Sequence, residues 1–67
     1  MERNLYLNWQ NIVQEAIKRR KEQKLTQEQL ALLAQVSKPT LNNFEQGNTN
    51  ITVANVLKIL AVLGLVE

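Results

Sequence analysis

The chain has 67 residues, 45% of them apolar and 21% charged, which is the balance of a folded domain and leaves room for only one. It carries a net charge of +2 and has no Cys, His or Asp, which excludes disulfide staples, thiolate or imidazole metal sites and Ser-His-Asp chemistry. An acid–base pair would have to come from Glu2, Glu15, Glu22, Glu28, Glu45 and Glu67 with no His beside them, so neither an enzyme nor a metal or organic cofactor is expected.

Residues 1–8 read as an N-terminal segment ahead of one domain over 9–67. Met1 to Asn8 lacks the apolar stretch of a signal peptide, and Leu5-Tyr6-Leu7 is too short to assign as a strand. The longest apolar run, Ile59 to Val66, falls well short of the roughly 20 residues of a membrane span, so a cytoplasmic protein is expected.

Trp9, Ile12, Val13, Ala16 and Ile17 recur at i, i+3, i+4, i+7 and i+8, which predicts a helix from Trp9 to about Gln23 capped by Asn8. Five of the eight basic residues cluster at its end, at Lys18, Arg19, Arg20, Lys21 and Lys24. Such a cluster can attract nucleic acid or simply complement the helix dipole in water. Thr26 three residues before Gln29 forms a capping box for a second helix over Gln27–Ala34, with Leu30, Leu33 and Ala34 as its apolar positions. Ser37 caps a third helix from Lys38 to about Gln46, with Pro39 in its first turn and Gly47 ending it. After the loop at Asn48 to Ile51, Thr52 caps a fourth helix whose inner stripe is expected at Val53, Val56, Leu57, Leu60 and Leu63, ending near Gly64.

The third helix is the most informative element. At about 100° per residue, Leu41 and Phe44 face inward with Glu45 at their edge, and Pro39, Asn42, Asn43 and Gln46 form the opposite stripe. That outward stripe contains no acid. Asn and Gln offer a donor and an acceptor side by side, the pattern that bridges adenine N6 and N7, and Lys38 can reach guanine or a phosphate. A solvated helix face is the plainer alternative, but two adjacent Asn are weak helix formers in such a role. Two short helices joined by a tight turn, the second with amides outward, make the helix-turn-helix arrangement that enters the major groove. The fold expected is all-α, a compact bundle of four to five short helices.

The run from Leu25 to Gly47, LTQEQLALLAQVSKPTLNNFEQG, resembles the Cro and phage-repressor (XRE) family, whose pattern is L-[ST]-Q-x-x-L-A followed by V-S-x-x-[ST]-[IL]-x-x-[FWIL]-E-x-G. With the flanking helices the similarity covers about Ile12 to Leu65. The resemblance implies a lambda-repressor-like DNA-binding domain acting on double-stranded DNA. It places Gln27 at a phosphate contact that buttresses the reading helix, and Ser37, Lys38, Pro39, Thr40, Asn42 and Asn43 at phosphate and base contacts. Gln46 and Asn48 fall where the following loop meets the other strand. It also implies a structural ion pair of Arg20 with Glu45, which the inward position of both residues supports.

Two positions depart from the family pattern. Gln35 stands where Gly is usual, at a left-handed turn, so the turn is expected to be slightly reshaped. Pro39 offers a base edge only apolar contact.

Within the family, TLNNFE, the GNTNIT loop and VLKILAVLGL are similar to the Hip-type antitoxins, which repress their own operons as dimers and hold a toxin protein. Ile59, Val62, Leu65 and Val66 lie off the expected inner stripe of the fourth helix and are read as a homodimer contact. The alternative is that Leu5, Tyr6 and Leu7 cover that surface. The expected function is a sequence-specific transcriptional regulator, an autorepressor on a palindromic operator, with a toxin as a further partner and no small-molecule ligand. The alternative is a module whose main task is to bind a partner protein.

Overall fold

A computed structural model of the chain describes residues 8–66, so the Leu5–Leu7 alternative lies outside the described residues. Four helices follow in order: α1 (Trp9–Glu22), α2 (Gln27–Ala34), α3 (Lys38–Glu45) and α4 (Val53–Val62), and the described residues contain no strand. α2 packs against both α3 and α4, and α1 packs against α3. No described helix is long and apolar enough to cross a membrane.

Each helix begins at a side chain that satisfies an orphan N–H. Asn8 accepts from Asn11 N, Ser37 from Thr40 N and Thr52 from Asn55 N, while Thr26 and Gln29 close the reciprocal capping box. The four ends are equally uniform. After α1, α2, α3 and α4 the residues Lys24, Gln35, Gly47 and Gly64 take positive φ. The next N–H then reaches back five residues, as from Val36 to the Ala31 carbonyl (3.0 Å) and from Leu65 to the Leu60 carbonyl (2.9 Å). These are Schellman turns. Two of them use glycine and two use long polar side chains. The expected reshaping of the turn at Gln35 does not occur: Gln35 itself adopts φ 61 and ψ 40, and the turn keeps its usual hydrogen bonds.

The core is built from Val13 and Ala16 of α1, Leu30, Ala31 and Ala34 of α2, Leu41 and Phe44 of α3, and Ile59, Leu60 and Leu63 at the end of the chain. Burial of each larger side chain contributes about 1.5–3 kcal/mol. Two expected faces are corrected. On α2, which packs against both α3 and α4, Leu33 is exposed and Ala31 is buried beside Leu30 and Ala34. On α4, Val53 and Leu57 are exposed, whereas Ile59, expected on an outward face, is wholly buried. Val56, Ile59, Leu60 and Leu63 also follow the i, i+3, i+4, i+7 rule, so the sequence offers two overlapping stripes and packing against α2 selects between them.

Candidate nucleic-acid interface

The position of α3 is fixed from both ends. At its N-terminus Ser37 Oγ accepts from Thr40 N at 3.1 Å and donates to Thr40 Oγ1 at 2.7 Å. At its C-terminus Trp9 of α1 packs edge-on against Phe44, with ring centroids 5.6 Å apart and planes at 82°. The same indole donates to the Gly47 carbonyl at 3.0 Å. The inward side chains Leu41 and Phe44 are wholly buried, which leaves the helix one orientation about its axis.

Behind α3 lies a polar relay. Arg20 meets Glu45 in a two-pronged pair, Nε to Oε2 at 2.7 Å and a terminal nitrogen to Oε1 at 3.1 Å, and it also donates to the Leu25 carbonyl at 2.9 Å. Both side chains are nearly buried, at 12% and 6% exposure. Gln27, at the start of α2, adds a donor to Glu45 Oε1 at 2.9 Å and a longer contact to Asn42 Oδ1 at 3.4 Å. The relay therefore ties α1, α2 and α3 together directly behind the amide face. Three N–H groups, two from Arg20 and one from Gln27, meet the carboxylate, which is what makes a nearly buried charge tolerable.

Outward from this frame, Lys38, Pro39, Asn43, Gln46 and Asn48 are exposed, and Thr40 and Asn42 are half-buried. Asn48 donates to Asn43 Oδ1 at 3.4 Å, so the residue after Gly47 lies beside the helix face. The one acid of α3 is Glu45, and it is turned inward. The exposed side of α3 thus presents one cation and several amides, with no negative charge to repel a phosphate.

The structure divides the basic cluster. Arg20 is committed to Glu45, and Arg19 donates to the Leu63 carbonyl at 3.1 Å, where Gln23 also donates at 3.2 Å. Lys18, Lys21 and Lys24 remain exposed. Five clustered cations in the sequence are therefore three solvated ones and two structural ones. The sequence does not specify the Trp9 bond to Gly47 or the cap on Leu63, nor which atoms Gln27, expected to buttress the third helix, meets there. A partly apolar stripe position occupied by an indole was the available signal for the first.

The residues read as a homodimer contact separate. Ile59 is in the core and unavailable, Val62 and Leu65 are half-buried, and Val66 is exposed. An open groove of about 750 Å³ runs between α1 and α4, lined chiefly by Ile12, Val53, Val56, Leu57, Leu65 and Val66.

A family model described as helix-turn-helix matches residues 17–67, well over half of the chain. A comparison with curated proteins finds no match.

Proposed function

The chain belongs to the helix-turn-helix family of Cro and phage-repressor type, a family of DNA-binding regulators, and from that premise we propose that it is a sequence-specific transcriptional autorepressor. Its reading surface is α3, with Ser37, Lys38, Pro39, Thr40, Asn42 and Asn43 facing phosphates and bases, Gln46 and Asn48 following at the loop, and Gln27 reaching a phosphate through its backbone N–H in the first turn of α2 while its side chain braces α3. The observation that carries this reading is an amide-bearing, acid-free helix face held against a nearly buried Arg20–Glu45 pair. Phosphate contacts set the register and the amides supply base discrimination. The domain that does this is the 9–67 unit.

The working form is a homodimer on a palindromic operator, with the two α3 helices about 34 Å apart. The apolar groove between α1 and α4 supports this, since Val53, Leu57 and Val66 are exposed there in a single copy. Of the residues expected at this contact, Leu65 and Val66 line the groove and Val62 does not. The same groove supports a second reading, in which the chain is the antitoxin of a Hip-type operon and a protein partner is held on that side.

Titration against the duplex upstream of the chain's own gene and against a scrambled duplex, at two salt concentrations, tests the proposal. A preference of about 10³ or more for the native duplex is expected. Equal and salt-steep binding to both would leave the exposed lysines as the agent, and the protein-partner reading would take precedence.

A further inference from the structure

The relay behind α3 has a fixed polarity, and it runs out to the reading surface. A guanidinium can only donate and a carboxylate can only accept. Arg20 therefore takes two approaches to Glu45, and Gln27 must turn its Nε2, not its oxygen, to Glu45 Oε1 at 2.9 Å. The same Nε2 lies 3.4 Å from Asn42, so the atom that Asn42 turns towards it is the oxygen. The amide of Asn42 is planar, and its Nδ2 is then left at the other end with no acceptor among the described residues. Asn43 has no such constraint. Its contact is with Asn48, another amide, and that pair can exchange donor and acceptor ends together.

We infer that Asn42 is a specificity-determining residue that presents a hydrogen-bond donor, Nδ2, to the DNA, and that the Arg20–Glu45–Gln27 relay sets this polarity. The inference rests on the DNA-reading assignment above and narrows it. The oxygen of Asn42 keeps a second lone pair beyond the contact from Gln27, and the end of the amide left with no partner is Nδ2. It donates to a major-groove acceptor, purine N7, guanine O6 or thymine O4. The ion pair thereby acts on base choice through Gln27 without touching DNA. Arg20, Glu45 and Gln27 are positioning residues and Asn42 is the reader.

The test begins with selection of preferred duplexes from a randomised library by the native protein and by Asn42→Ala. The base pair whose preference relaxes in the variant is the one Asn42 reads. Duplexes are then made in which that pair lacks one major-groove acceptor at a time, N7, O6 or O4. Loss of one acceptor is expected to weaken native binding about three- to tenfold. Asn42→Asp presents only acceptors while still accepting from Gln27, so it should lose this dependence. Thermal melts of both variants confirm that the fold is retained. Native binding unchanged by the loss of each acceptor in turn, or a motif in which Asn42→Ala relaxes no position, overturns the inference and leaves DNA reading intact. Selection of no motif by the native protein overturns both.

Discussion

Trp9 donates its indole N–H to the carbonyl oxygen of Gly47 at 3.0 Å, joining the first turn of α1 to the residue that ends α3. The contact spans 38 residues of chain and lies just past the C-terminal end of α3. Trp9→Phe keeps an aromatic ring near Phe44 but leaves that carbonyl without its partner. A loss of about 1–2 kcal/mol is expected, which in a domain of this size lowers Tm by roughly 4–16 °C. Differential scanning calorimetry reads it, and an unchanged Tm would remove the bond from the account of how α3 is held.

Arg20 and Glu45 are nearly buried, so removing one strands the other. Arg20→Ala should cost about 3–5 kcal/mol, because Glu45 then keeps only the Gln27 donor in a poorly solvated site. The double variant Arg20→Met with Glu45→Leu should lose less than Arg20→Ala alone, since no charge remains unpaired. Urea unfolding of the three proteins decides this. A double variant that loses more than Arg20→Ala would show that the stranded charge is not what the single substitution costs.

Gln35 holds φ 61 in the turn between α2 and α3, a region where a Cβ crowds the following carbonyl. Gln35→Gly relieves that crowding at the cost of a more flexible unfolded chain, for a net gain of about 0.5–1 kcal/mol. Lys24→Gly, at φ 60 after α1, should gain about as much. A rise in Tm for each, with DNA binding retained, is the expected result. A fall in either would mean that the side chain contributes more than its backbone strain costs.

The two turns also show what the sequence could and could not disclose. Gln35 stood out because a motif demanded glycine there, whereas Lys24 lay in a run of charged residues where no local rule marked a left-handed residue. Helix starts were legible because Asn8, Thr26, Ser37 and Thr52 are side chains that cap, and each does so. Which face of α3 turns inward was legible because Leu41 and Phe44 are its only apolar side chains of any size besides Pro39. The relay from Arg20 to Asn42 was legible only as a pair. Its continuation through Gln27 depends on how closely α2 approaches α3, which no periodicity records. The polarity of Asn42 was out of reach for the same reason.

The register of α4 yields the sharpest contrast between neighbouring positions. Ile59 is wholly buried and Leu57 is about half exposed beside the groove, the reverse of the sequence expectation, which put Leu57 on the inner stripe and Ile59 off it. Ile59→Ala should destabilise the fold by about 2–5 kcal/mol through the cavity it leaves. Leu57→Lys should leave the fold within about 0.5 kcal/mol, since its side chain already meets solvent. If the groove is the homodimer contact, the same Leu57→Lys shifts the sedimentation coefficient from dimer to monomer and reduces operator affinity, because each half-site must then be held by a single α3. A folded Leu57→Lys protein that still sediments as a dimer would place the contact elsewhere. The exposed Leu32 and Leu33 of α2 would then be the next apolar surface to substitute, because at 79% and 57% exposure they are available on a single copy.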